Sequence, residues 1–90
     1  MNVLIRAKRE KVEHKIKENC PESSYCYWTG VRPKKQVDKV LFTDGENVYA
    51  EGDVIGVDYI DDIIFRPLKR VEYPQPKKAP TRGFTYVEQG

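Results

Sequence analysis

The sequence has few of the residues that build catalytic and metal sites. Its 90 residues include a single histidine, His14, and only two cysteines, Cys20 and Cys26. These three side chains alone cannot complete the four-ligand shell of a structural zinc ion. A Cys–His nucleophile in so short a chain would be unusual. We therefore predict no catalytic residues, no metal site and no cofactor.

Long hydrophobic segments are also missing. A transmembrane helix needs about 20 apolar residues, and no stretch of this chain approaches that length. The apolar run Val3–Ile5 is followed at once by charge, which is not the pattern of a signal peptide. We expect a cytoplasmic protein that has no membrane partner and keeps its cysteines reduced. A Cys20–Cys26 disulfide is the alternative.

Two common ligand-binding loops have no counterpart in the sequence. Gly52 and Gly56 lie in a strand-like context and do not open a helix, so they do not form a glycine-rich phosphate loop. Asp58, Asp61 and Asp62 are close together but lack the regular offsets of a calcium loop. We interpret these aspartates as turn residues on a solvated edge.

Charge, in contrast, is abundant and unevenly distributed. Residues 1–35 carry nine Lys and Arg against four Glu, and residues 66–90 carry six against two. Residues 36–65 reverse the balance, with one Lys against eight Asp and Glu. The net charge of +2 therefore conceals two basic ends around an acidic middle. Such a chain can present one positive face, and positive faces attract phosphate backbones regardless of sequence.

Length and residue pattern predict one domain, residues 1–90, of mainly β structure with one N-terminal helix. Lys8–Asn19 lacks Gly and Pro and places Val12 and Ile16 four residues apart, which predicts the helix. We expect about five or six short strands, drawn from several apolar or alternating segments. These segments are Val3–Ile5, Ser24–Thr29, Val37–Thr43, Asn47–Ala50, Val54–Tyr59, Ile63–Arg66 and Thr81–Glu88.

Turn signals separate the candidate strands. Asp44-Gly45 predicts a hairpin with a type I′ turn, because that turn needs positive φ at both central positions. Glu51–Asp53 predicts a turn or a bulge. Tyr73–Pro80 holds three prolines and predicts an extended, irregular loop. Short strands joined in this way indicate a small barrel or sandwich.

A basic loop follows the aromatic strand candidate. Arg32, Lys34 and Lys35 come directly after Tyr27 and Trp28 in the sequence. Cations beside exposed rings suit nucleic acid, because the cations contact phosphates and the rings stack on bases. The alternative interpretation places Trp28 in the core and the two lysines in a solvated loop.

A second group of candidate ligand residues lies near the C-terminus. Lys77 and Lys78 precede Arg82, whose planar guanidinium fits a phosphate or a guanine edge. Phe84 and Tyr86 alternate along the last predicted strand and so share one face. We include Lys77, Lys78, Arg82 and Phe84 among the predicted nucleic-acid contacts. The alternative is a closing strand beside a solvated arginine.

The order of these segments resembles that of small PUA-like proteins, particularly ASCH-type domains. The resemblance lies in residues 25–88, and its parts are Tyr27-Trp28-Thr29, Arg32-Pro33-Lys34-Lys35, Val37 to Phe42, Asp44-Gly45, Val48 to Val57 and Pro80 to Tyr86. The chain lacks the string Gly-x-Lys-x-x-Glu-x-Arg with which ASCH domains begin. The resemblance implies a pseudo-barrel of five or six strands with a helix over one end. It also implies RNA binding and, in some relatives, recognition of a modified base.

Three functions follow from these patterns. The leading hypothesis is a nucleic-acid-binding module, with RNA as the expected partner. The second is a salt-sensitive interaction module, in which the acidic middle of one chain meets the basic ends of another in a homodimer. The third, and least favoured, is a small hydrolase acting on a nucleotide derivative.

Overall fold

A computed structural model describes residues 1–14, 16, 26–57 and 62–88 of the chain. Within these residues the protein is mainly β, with seven strands in one open sheet and one short helix. The elements in chain order are β1 (Asn2–Arg6), α1 (Arg9–His14), β2 (Cys26–Thr29), β3 (Lys39–Thr43), β4 (Asn47–Val57), β5 (Asp62–Phe65), β6 (Lys69–Pro74) and β7 (Phe84–Val87).

The sheet has the strand order β2-β5-β4-β3-β1-β7, and β6 pairs with the first half of β4. β1 and β3 are parallel, whereas all other neighbouring strands are antiparallel. β5 and β6 follow one edge of the long strand β4, and β3 follows its other edge. β2 and β7 therefore lie at the two ends of the strand order.

The central strands are buried on both faces. Val3 and Ile5 of β1 join a core cluster around Phe42, and Leu4 between them joins a second cluster with Leu41. This explains the continuous apolar run in β1, because a strand that is covered on both sides has no polar face. The second cluster is closed by the segment between β6 and β7, whose Ala79 is buried there.

A bulge in β4 changes which residues face the larger cluster. The register with β3 shifts between Phe42, which pairs with Ala50, and Thr43, which pairs with Val48, so that Tyr49 is the extra residue. As a result Tyr49 and Ala50 both pack in the first cluster, whereas Val48 packs in the second. The Tyr49 hydroxyl donates a hydrogen bond of 2.7 Å to the Ala7 carbonyl oxygen, which ties the bulge to the chain leaving β1.

The helix is fixed to the sheet by packing and by ion pairs. Val12 is fully buried in the first cluster, as its spacing from Ile16 predicts, and Ile16 is partly buried against the same cluster. The Arg70 guanidinium on β6 donates to both Glu13 carboxylate oxygens, at 2.9 and 2.6 Å. Burial of one apolar side and exposure of the other is the arrangement that an amphipathic helix requires.

The structure corrects the predicted number of strands. Six strands contain the seven candidate segments, because Asn47–Ala50 and Val54–Tyr59 both fall on β4. β6, the seventh strand, lies partly in the predicted Tyr73–Pro80 loop and otherwise in residues for which no strand was predicted. Its alternation of Val71 and Tyr73 with exposed residues is a strand pattern, and pairing with β4 makes it one.

Two predicted local structures also differ from the observed ones. The β3–β4 hairpin exists, but its connection has three residues, Asp44–Glu46, and not the two of a type I′ turn. The reason is that Asp44 Oδ1 accepts hydrogen bonds of 2.9 Å from the backbone N–H groups of Glu46 and Asn47. Glu51–Asp53 forms no turn, because these residues pair within the uninterrupted strand β4.

Several predictions concern residues outside the described part of the chain. The last turns of the predicted helix, Cys20, the start of the predicted strand at Ser24, and Asp58 and Asp61 all belong there. Within the described part, no helix is long and apolar enough to cross a membrane.

Candidate nucleic-acid interface

Hydrogen bonds to one hydroxyl group connect the basic loop between β2 and β3, which contains Lys34 and Lys35, to the edge strand β7. The Tyr86 hydroxyl oxygen accepts a hydrogen bond of 2.8 Å from the backbone N–H of Lys34, and a longer one of 3.4 Å from that of Lys35. The Lys35 ammonium lies 5.1 Å from the centre of the Tyr86 ring, which is a cation–π distance. The exposed Lys34 and Lys35 are thereby brought to β7.

The segment between β6 and β7 brings two more lysines to the same strand. Lys77 lines a depression of about 330 Å³ together with Tyr86. Lys78 lines another depression, of about 400 Å³, together with Phe84 and Arg6. The Phe84 and Tyr86 rings meet edge to face with their centres 5.4 Å apart, so a residue that lines one depression contacts a residue that lines the other.

A larger depression, which we call the cleft, lies where β1 leads into α1. Its volume is about 770 Å³, and the residues that line it are Arg6, Ala7, Lys8, Arg9, Glu10, Asp44 and Thr81. The cleft shares Arg6 and Thr81 with the depression beside Phe84, and the two are therefore adjacent. We name six cations along this surface the basic strip: Arg6, Lys8, Lys34, Lys35, Lys77 and Lys78.

Arg6 is held in the cleft by the hairpin backbone. Gly45 has a φ of +105°, and a Cβ built on it would lie 3.2 Å from the Cζ and Nη2 atoms of Arg6. The guanidinium therefore rests directly against the Gly45 backbone. Among the described residues, no carboxylate lies within ion-pair distance of Arg6, so its charge is available to a ligand.

Replacing Gly45 with alanine should lower the free energy of unfolding by about 1–2 kcal/mol, because a side chain at positive φ is strained. The new methyl group should also displace the Arg6 guanidinium. Gly56→Ala is the matched control, since Gly56 has no positive φ and open space around its Cβ position. Urea unfolding of the two variants checks this expectation, and equal stabilities would contradict it.

Arg9 lies in the wall of the same cleft, but its charge is already neutralised. Its Nε donates to Asp44 Oδ2 at 2.8 Å, and its Nη1 and Nη2 donate to the Glu72 carboxylate at 3.0 and 2.8 Å. These bonds raise the pKa of Arg9, and the same contact lowers the pKa of Glu72. The guanidinium also covers the Tyr49 ring at 5.0 Å. Arg9 thus ties α1 to the sheet.

Asp44 is the fixed negative charge of this network. Hydrogen bonds from the backbone N–H groups of Asn47 and Glu46, followed by the contact with Arg9, lower the pKa of Asp44 to about 2. A carboxylate that accepts several N–H groups is stabilised in its charged form. Asp44 therefore stays ionised at neutral and mildly acidic pH, and both of its carboxylate oxygens accept hydrogen bonds from groups of the same chain.

Comparisons with known proteins assign no family to this chain. No protein-family model matches the chain, no curated protein matches it, and no solved structure matches it. Among the described residues, no group of three or more His, Cys, Asp or Glu side chains could hold a metal ion. The functional argument therefore depends on the side chains themselves.

The structure brings five of the predicted contact residues together along β7. They are Lys34, Lys35, Lys77, Lys78 and Phe84. Phe84 is half-buried, with part of its ring against the core. Arg32 and Arg82 are exposed, but neither lines the cleft or the two depressions beside it.

The two predicted rings of β2 lie elsewhere. Trp28 is half-buried, its ring meets Phe42 edge to face at 4.9 Å, and the Lys11 ammonium lies 5.1 Å from its ring centre. Tyr27 is 53% exposed and projects from the opposite face of β2. Neither ring lines the cleft or the two depressions beside β7.

Sequence reasoning missed Arg6, Lys8 and Tyr86. A signal for the first two exists, since a buried strand that exits into Arg-Ala-Lys must place those cations at the sheet end. Tyr86 lies two residues after Phe84 on the same face of the strand, and Phe84 is among the predicted nucleic-acid contacts. What the sequence does not contain is the partner of its hydroxyl group, a backbone amide 52 residues away.

Proposed function

We propose that the protein binds single-stranded RNA along the basic strip. The observation that carries this proposal is the bond from the Lys34 amide to the Tyr86 hydroxyl, because it brings the loop of Lys34 and Lys35 to the strand whose depressions Lys77 and Lys78 line. Lysine and arginine contacts to phosphate supply most of the affinity for a nucleic-acid backbone. Within the described residues, none of the six cations of the basic strip has a carboxylate partner.

The rings beside the cations support a single-stranded ligand. Phe84 and Tyr86 are both partly exposed and alternate with depressions large enough to admit a base. Unpaired bases stack on aromatic side chains with little dependence on sequence. The resemblance to PUA-like domains favours RNA over DNA, and by the same proposal the seven-stranded sheet is a PUA-like pseudo-barrel.

Binding of a labelled RNA of about 12 nucleotides, followed by fluorescence anisotropy, tests the proposal. The affinity should fall steeply between about 50 and 200 mM salt, with a log–log slope of about −0.7 for each phosphate contact. Undetectable binding, or binding that is indifferent to salt, would contradict it.

Tyr86→Phe should lower the RNA affinity by about three- to tenfold, although it removes no charge. The reason is that the Lys34 amide loses its acceptor, so the loop no longer holds its two lysines beside β7. Tyr73→Phe is the matched control, because Tyr73 lies on β6 and lines neither the cleft nor the depressions beside β7. Anisotropy titrations compare the two variants, and an equal affinity for both would count against this role of Tyr86.

The homodimer alternative draws less support from the structure. It requires the acidic middle of one chain to meet the basic ends of another. Asp44 of that middle is already engaged with Arg9 of the same chain, and Asp38 is engaged with the Met1 amine at 2.9 Å. Part of the charge that would attract a second copy is therefore used within the fold.

A further inference from the structure

The cleft differs from the rest of the basic strip because carboxylates form part of its wall. Glu10 and Asp44 line it together with Arg6, Lys8 and Arg9. Its volume of about 770 Å³ lies within the range of sites that enclose a small molecule or a single nucleotide. A site lined by both cations and carboxylates selects a different ligand group from a site lined by cations alone.

The two carboxylates are not equivalent. Both oxygens of Asp44 are occupied, Oδ1 by the backbone N–H groups of Glu46 and Asn47 and Oδ2 by Arg9. Glu10 is exposed in the first turn of α1, and no hydrogen bond or ion pair joins its carboxylate to another described residue. Glu10 therefore offers two unused acceptor oxygens to whatever enters the cleft.

The charges of the cleft also favour one class of phosphate ligand over another. Arg9 is balanced by Asp44 and Glu72, which leaves Arg6 and Lys8 facing Glu10. Two cations and one carboxylate can hold a phosphodiester, which carries one negative charge. A phosphomonoester carries about −1.5 to −2 charges at neutral pH, and two cations opposed by one carboxylate leave part of that charge unbalanced.

From this arrangement we infer that the cleft receives the 3′-terminal ribose of the bound RNA. The 2′- and 3′-hydroxyl groups donate to the two oxygens of Glu10, and Arg6 and Lys8 hold the preceding phosphodiester. A carboxylate that accepts from ribose hydroxyls is a common means of recognising a nucleotide. This inference rests on the proposed RNA binding, and it adds that the cleft, at one end of the basic strip, holds the 3′ end of the RNA.

The test compares one RNA sequence of about 12 nucleotides in three forms. These are a linear RNA with a free 2′,3′-diol, the same RNA with a 3′-phosphate, and a closed circle. The free diol should bind about tenfold tighter than the other two, because only it can donate to Glu10. Anisotropy at a fixed, moderate salt concentration gives the three affinities.

Two variants connect the difference to Glu10. Glu10→Gln should reduce the advantage of the free diol to about twofold and strengthen binding of the 3′-phosphate form, because the repulsion is removed. Glu46→Gln is the control, since it removes the same charge from an exposed residue that does not line the cleft. This variant should keep the full preference for the free diol.

The possible results separate this inference from the function beneath it. Equal, salt-dependent binding of all three RNAs would overturn the assignment of the cleft and leave the proposed function intact. Tighter binding of the 3′-phosphate form would overturn it in favour of an anion site. Failure of every form to bind would overturn both, whereas a diol preference that Glu46→Gln keeps and Glu10→Gln loses supports both.

Discussion

Replacing Lys34, Lys35 and Lys78 together with glutamine should lower the affinity for single-stranded RNA by about 100-fold at about 0.1 M salt. With three fewer phosphate contacts, binding releases fewer counterions from the RNA, so the log–log salt slope should also become shallower by about 2. Anisotropy titrations at several salt concentrations measure both quantities. This is the largest functional effect that we expect, because the three lysines come from both loops of the basic strip.

A second triple variant controls for net charge. Lys39, Arg66 and Lys69 lie on or beside β3, β5 and β6, and none of them lines the cleft or the depressions beside β7. Replacing these three with glutamine makes the same change in net charge. Their loss should reduce the affinity only a few-fold through the long-range field. Equal losses in the two triple variants would show that overall charge, and not the basic strip, binds the RNA.

Phe42→Ala should lower the free energy of unfolding by about 3–5 kcal/mol, the largest stability effect expected for a single substitution in this chain. Phe42 is fully buried at the centre of the first cluster, and its ring meets Trp28 at 4.9 Å and Phe65 at 5.9 Å. Since a small domain has a total stability of about 5–15 kcal/mol, the variant should be close to unfolding. Urea denaturation followed by circular dichroism measures the change.

Val57→Ala is the control for this substitution. Val57 is on the same sheet, but 39% of its surface is exposed at the end of β4. Its truncation should cost about 0.5 kcal/mol or less. If the two variants were equally stable, Phe42 would not be the centre of the core.

Strand positions could be predicted where one strand's own residues determine its burial. β1 and β3 are examples, because their apolar runs require cover on both faces. β6 could not be found so easily, since Lys69, Arg70 and Pro74 resemble a loop when taken alone. Val71 and Tyr73 become half-buried only because β6 pairs with β4, which lies about 20 residues earlier in the chain.

The availability of each cation could not be predicted from its position in the sequence. Arg6 and Arg9 are three residues apart in the same basic segment, and the local sequence does not indicate which of the two forms ion pairs. The Arg9 guanidinium is neutralised by Glu72, which is 63 residues away, whereas Arg6 rests on a glycine backbone. Long-range ion pairs of this kind depend on the register of β4 with β3 and β6, which a local charge count does not contain.

The order in which the strands are made gives β7 a further significance. β1 is made long before β7, so one of its edges has no partner until residues 84–87 have also been made. The backbone N–H of Lys34 also lacks its hydrogen-bond acceptor until β7 is made, because that acceptor is the Tyr86 hydroxyl oxygen. A nascent chain that stops short of β7 therefore has every lysine of the two loops and no common surface for them, so the proposed RNA-binding surface can form only after β7 has been made.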